Sequence, residues 1–150
     1  MVGWLLDTNV VSELGRTRRD PNVMAWAANQ SERDLYISVL TLGEYDKGLH
    51  NLPIGSPARR YIEVGIRETE IRFAGRTLPV SDAIVRRWGR ISGEILLATG
   101  RAPEVIDTLL AATAIEHGLV LATRNVRHVQ DTGARIFNPW EDGPGSQPTA

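Results

Sequence analysis

The chain has 150 residues, 42% of them apolar and 23% charged, and a formal net charge of −1. That length suits one compact domain with a single core, and the composition is that of a globular chain rather than a disordered one. The absence of cysteine excludes disulfides, thiol nucleophiles and cysteine-based zinc sites, and the three histidines (His50, His117, His128) are too scattered for a His-x-x-x-His zinc motif.

In chain order, "VGWLLD" is a short apolar run ending on Asp7, which predicts a buried strand. "TNVVSELGR" continues as one or two helical turns, with Val10, Val11 and Leu14 at helical spacing. In "DPNVMAWAANQ", Asp20 is an N-cap and Pro21 occupies the first helical position. "LYISV" predicts a second strand, and "LTLGEYDKGLHNL" a helix with Leu42, Tyr45 and Leu49 on one face. "PIGSP" reads as a loop. A helix follows over "PARRYIEVGIRETEIRF", with Ser56 as cap. "AGRTLPV" holds a short strand. "SDAIVRRWGRISGEILLATG" is a long helix from the Ser81 cap to the Gly100 stop. "RAPEVIDTLLAATAIEHG" is a further helix ending at His117-Gly118. "LVLATR" and "ARIFNPW" are the last strands. The expected domain spans 1–140, and 141–150, without an apolar anchor, reads as a flexible tail.

Short apolar strands alternating with helices predict an α/β fold, a central parallel sheet with helices on both faces. In such sheets, sites form outside the carboxyl ends of the strands. Those ends offer Asp7, Ser38, Thr123, Arg124 and Asn125. No apolar run reaches membrane-spanning length and no basic stretch leads into a long apolar core, so the expected compartment is the cytoplasm, with no membrane partner.

Three acids sit oddly for solvated residues. Asp7 ends a buried strand. Glu44 lies between Leu42 and Tyr45. Asp107 opens a helix whose Leu109, Leu110, Ala111 and Ala112 are apolar on most sides. Each has a structural alternative: Asp7 as helix cap, Glu44 as helical partner of Lys47, Asp107 as favourable charge at a helix N-terminus. Gathered carboxylates repel, so a shared site makes sense with a bound cation. Oxygen ligands without cysteine or paired histidine point to Mg²⁺ or Mn²⁺, an ion suited to phosphodiester hydrolysis. All basic residues except Lys47 are arginine. Guanidinium suits phosphate, but an arginine-rich codon bias is the better explanation of the excess.

"LLDTNVVSEL", "YISVLTLGEYDKGL", "VIDTLLAATAIEHGLVLATRNVRHV" and "IFNPW" resemble, in order and context, the PIN-domain proteins. More narrowly the chain resembles the VapC-type toxins of type II toxin–antitoxin systems, and "FAGRTLPVSD" resembles their FitB-like branch. The resemblance implies a PIN-like three-layer sandwich. It implies a metal-dependent endoribonuclease using Mg²⁺ or Mn²⁺ at Asp7, Glu44 and Asp107, which cuts RNA (tRNA or ribosomal RNA) through a metal-activated water. It further implies a homodimer and a hetero-oligomer with a small VapB-like antitoxin. The antitoxin's C-terminal segment blocks the site, and operator DNA is reached only through it.

The family often supplies a fourth acid after the strand matching "LVLATR". Here Asn125 stands in that place, and His128-Val129 stands where many relatives keep an Asp before an aromatic. Asn125, Thr8, Asn9 and Thr123 are candidates for completing the site or orienting water. Arg124 and Arg127 are candidate contacts to RNA phosphate. His128 reads as a solvent-facing loop residue, with an imidazole near the site as the alternative. The missing acid leaves open a second function, a catalytically weak PIN-like protein that binds an antitoxin or regulates an operator. A P-loop is excluded because no Gly-x-x-x-x-Gly-Lys-Ser/Thr occurs. Aspartate phosphatases want a second Asp where Asn9 stands, and receiver domains want a lysine ending a late strand.

Overall fold

The computed structural model describes residues 2–143 and 146–149. Five parallel strands, β1 (Trp4–Leu6), β2 (Leu35–Ser38), β3 (Thr77–Leu78), β4 (Val120–Ala122) and β5 (Ile136–Phe137), form one sheet in the order β3-β2-β1-β4-β5. The N-terminal strand is therefore central. Trp4 pairs with Leu35 on one side and with Val120 on the other, and Leu6 pairs with Ala122. The strand order reverses at β1, so the crevice between the carboxyl ends of β1 and β4 is where an open sheet of this kind places a site.

Seven helices cover the sheet: α1 (Thr8–Leu14), α2 (Pro21–Ala28), α3 (Val39–His50), α4 (Pro57–Arg72), α5 (Asp82–Thr99), α6 (Val105–His117) and α7 (Val126–Val129). The predicted caps are in place. Asp20 accepts from the backbone N–H of Asn22 and Val23, Ser56 from Ala58 and Ser81 from Ile84. Gly100 and Gly118 stop α5 and α6 at φ 75° and 65°, a conformation open to glycine at little cost. The short α7 and the 3-10 turn Glu32–Asp34 are additions to the elements legible in sequence.

Side chains alternate across the strands, and the two faces build two cores. Trp4, Leu6, Ile37, Val120, Ala122 and Phe137 face α1 and α2. Leu5, Leu121 and Ile136 face Leu110, Ala111 and Ala114 of α6 and Val129 of α7. On the first face Trp4 meets Trp26 edge-on at 5.1 Å and Phe137 at 5.2 Å, each contact adding about 1 kcal/mol beyond area burial. The opposite side of α6 packs Ala112 against Ile84 and Ile91 of α5. Lying between sheet and helix, α6 is apolar nearly all round, as its sequence implies.

The segment after Trp140 reads from composition as a tail, yet Thr149 forms an antiparallel bridge with Ile136 through backbone bonds of 2.6 and 2.9 Å. Strand pairing uses backbone groups and needs no apolar side chain, so composition gives no sign of it. Among the described residues, no helix is long and apolar enough to cross a membrane.

Candidate metal centre

Asp7 follows β1 and caps α1, so the strand-to-helix turn fixes its place. Its backbone N–H continues the ladder to the Ala122 carbonyl at 2.9 Å, and its own carbonyl accepts from Val10 and Val11. The side chain is 5% exposed. Oδ1 accepts from the Thr8 backbone N–H at 2.7 Å; Oδ2 accepts from Thr123 Oγ1 at 2.7 Å and from Asn9 Nδ2 at 3.2 Å. Cap and site residue are thus compatible roles. A carboxylate offers about four lone-pair positions, and one of them remains on Oδ1.

Burial pushes the Asp7 carboxyl up to about 6, and the negative charges of Asp107 and, more weakly, Glu44 push it the same way. The hydrogen bonds from Thr123 and Thr8 oppose the rise. An acid on the central strand therefore lies within the fields of acids from α3 and α6, far away in sequence.

Glu44 is half-buried on α3 and is held by Thr8, whose Oγ1 lies 2.7 Å from Glu44 Oε1 and 3.0 Å from Thr41 Oγ1. A hydroxyl has one proton, so Thr8 donates to the carboxylate and accepts from Thr41. Thr8 is thereby a strut between the first turn of α1 and α3, rather than a group oriented on Asp7. Its backbone N–H serves Asp7 and its side chain serves Glu44.

Asp107 lies in the first turn of α6 and is buried. His128 Nδ1 is 2.7 Å from Asp107 Oδ2. His128 is solvent-facing as expected, but it sits on the short helix α7 rather than in a loop, and its ring reaches Asp107, which is the alternative of an imidazole near the site; Val129 anchors α7 in the core beneath α6. The signal in sequence was the i, i+3 pair Val126 and Val129, one helical turn that fixes which way His128 faces.

Thr123, fully buried, accepts from the Asn125 backbone N–H at 2.9 Å while donating to Asp7. The Asn125 side chain is exposed and makes no capping bond at the start of α7. The Arg124 guanidinium lies over the Trp140 ring at 5.0 Å, and its backbone N–H faces Asn9 Oδ1 at 3.4 Å. Arg124, Asn125, Arg127 and His128 line a hollow of about 380 Å³ together with Asn138, Glu141 and Asp142. Trp26 is a core residue, and Arg87 of α5 pairs with Glu116 of α6.

The acids are not drawn into a tight cage. Among the described residues, no three His, Asp or Glu side chains gather closely enough to hold an ion by themselves. The donor set nevertheless fits a hard divalent ion, which takes one or two carboxylates directly and keeps several waters. A buried carboxylate with a free lone pair and two acids in its field is chemically completed by a cation.

Residues 4–132 match the PIN domain. The chain belongs to this family. Among its relatives, "VapC ribonuclease Y4jK" of Sinorhizobium fredii is 36% identical over 139 residues, spanning 91% of this chain and 97% of that protein. "Toxin FitB" of Neisseria gonorrhoeae is 32% identical over 138 residues, covering 92% and 99%. Among solved structures, a FitAB complex bound to a DNA fragment contains a chain that is 30% identical with a TM-score of 0.79, covering 92% of this chain and 96% of that one. The sheet of this PIN domain and its helices on both faces are those expected from the resemblance in sequence.

Proposed function

We propose that this PIN domain is the toxin of a type II toxin–antitoxin pair and acts as a Mg²⁺- or Mn²⁺-dependent endoribonuclease. The observation that carries the reading is Asp7, a buried acid at the reversal of the strand order, raised to about 6 with Asp107 and Glu44 in its field. A relative named as a ribonuclease and another named as a toxin, each matched over nearly its whole length, support it.

Asp7, Asp107 and Glu44 would hold the ion. When bound, it supplies Lewis acidity to a phosphate oxygen and lowers the pKa of water. The chain's own residues do the rest. Thr123 and Asn9 keep the Asp7 carboxylate in one orientation. Thr8 keeps Glu44 turned toward β1. Arg124 and Arg127, which line a hollow with His128, would meet phosphates of the RNA strand. Asn125 adds an amide and no charge, so the site carries less negative charge than one with a fourth acid. The RNA class is tRNA or ribosomal RNA, and the setting is the cytoplasm.

The partner is a small VapB-like antitoxin whose C-terminal segment blocks the site, in an assembly of toxin homodimers that reaches operator DNA through the antitoxin. The solved FitAB complex on DNA supports this. A groove of about 680 Å³ runs between α1 and α4, lined by Val11, Tyr45, Tyr61, Ile62 and Ile66, and Tyr45 adjoins Glu44. Its apolar lining would suit an apolar peptide segment.

The test is cleavage of structured RNA by the purified chain with Mg²⁺ or Mn²⁺, beside Asp7→Asn. Cleavage is expected to require the ion and to fall more than about 100-fold in the variant, beyond the loss typical of an outer-shell partner. Cleavage without added ion in the presence of a chelator, or equal cleavage by Asp7→Asn, overturns the nuclease reading. Absence of any cleavage favours the second reading, an antitoxin-binding protein with weak catalysis, to which Asn125 in place of an acid gives some support.

A further inference from the structure

The acids of this site are held unequally. Asp7 has three donors and Glu44 has Thr8. Among the described residues, Asp107 has one side-chain partner, the His128 ring. The torsion that turns an Asp carboxylate is soft and broad, so a carboxylate without a fixed donor does not keep one plane. An ionised carboxylate only accepts hydrogen bonds, so Nδ1 of His128 carries the proton it shares with Asp107 Oδ2. The separation of 2.7 Å falls in the range of charge-assisted bonds.

We propose that His128 is a positioning residue of the metal centre: its Nδ1–H fixes the plane of the Asp107 carboxylate for the ion. The inference rests on reading Asp7, Glu44 and Asp107 as the ion-binding acids. The geometry around the ring favours this role over that of an incidental surface pair. The Asp107 side chain is 12% exposed, so its carboxylate has little solvent to turn into. The His128 side chain is 56% exposed, but its helix is pinned by the buried Val129. The backbone is therefore rigid where the ring is open. His128 also lines the hollow shared with Arg124 and Arg127. Where Asn125 brings no acid to the site, this chain fixes an acid it already has.

A single hydrogen bond from a ring that is half open to solvent contributes about 1 kcal/mol to folding, so the role is expected in ion binding more than in stability. Mn²⁺ binding by isothermal titration calorimetry is the measurement, on the wild type and on Asp7→Asn, His128→Ala, His128→Asn and His128→Gln. The amide nitrogen of Asn stands where Nδ1 stands, whereas that of Gln stands nearer Nε2. His128→Ala and His128→Gln are expected to bind Mn²⁺ about tenfold more weakly, with thermal midpoints near the wild type, and His128→Asn is expected to keep most of the affinity. Ring ¹⁵N shifts of the ion-free wild type are expected to show a protonated Nδ1 that changes in Asp107→Ala.

Unchanged affinity in His128→Ala, or His128→Asn as weak as His128→Ala, overturns the role of His128 alone when Asp7→Asn is weak. Ring shifts indifferent to Asp107→Ala overturn the hydrogen bond. A wild type that binds no Mn²⁺, or binds it no better than Asp7→Asn, overturns the ion-binding reading itself and with it the purpose assigned to His128.

Discussion

Asp7 sits at the end of the central strand with three hydrogen-bond donors around it, whereas Asp107 sits on the first turn of a helix with one exposed imidazole against it. The donors to Asp7 come from its own turn and from the buried Thr123, so its position is set by the sheet. The donor to Asp107 comes from a four-residue helix reached only after β4. One acid is built into the frame, and the other is adjusted from outside it. A site made in this way keeps a fixed anchor and a ligand that a single surface substitution can retune.

The largest expected effect concerns Asp7 alone, in stability against pH. Asp7 is raised from 3.8 to about 6, so the folded chain holds that proton more tightly than the unfolded chain does. Its unfavourable contribution is full above pH 6, shrinks as pH falls through that value, and is gone below the unfolded value. The penalty near pH 8 is on the order of 3 kcal/mol. Asp7→Asn is expected to gain up to that amount near pH 8 and nothing below about pH 4, by urea denaturation across pH without divalent ions. Saturating Mn²⁺ should offset the same penalty in the wild type. A variant no more stable than wild type near pH 8 would remove the idea that Asp7 is strained by its surroundings.

Thr123→Val sharpens the contrast next. It takes the strongest donor from a buried carboxylate and leaves the Asn125 N–H without its acceptor. A loss of about 2 kcal/mol is expected, with Asp7 titrating higher still by carbon-detected NMR. Thr8→Ala should be milder, costing about 1 kcal/mol and about tenfold in ion affinity or cleavage, because Glu44 loses its strut while staying half-buried. If Thr8→Ala proves more damaging than Thr123→Val, the anchor lies on the α3 side of the site rather than at β1.

Much of the frame was legible in the sequence. Trp4 to Leu6 and Val120 to Ala122 are continuous apolar runs, which is how strands buried on both faces read. Asp20, Ser56 and Ser81 act as caps because a short side-chain oxygen reaches the first free N–H groups. The oddness of Asp7, Glu44 and Asp107 was also visible, since each is an acid among apolar neighbours. Thr8, Asn9 and Thr123 stood out as candidates too, but which acid each of them holds did not. Thr8 pointing to Glu44 and Thr123 pointing to Asp7 are tertiary contacts across 36 and 116 residues. Spacing along the chain carries no record of them. His128 read first as a loop residue, with a place near the site only as the alternative, because one turn of helix gives almost no periodic signal; the pairing of Thr149 was missed because backbone pairing leaves no mark on side-chain composition.

The placement of the first strand in the middle of the sheet also bears on when the site can form. Asp7 leaves the ribosome well before β4 and Thr123, which follow it by more than a hundred residues. Contacts so far apart are the last a growing chain can make. Until they form, the first acid of the site has neither its neighbouring strand nor its buried hydroxyl. A PIN domain assembled in this order carries an incomplete site until its late strand has emerged.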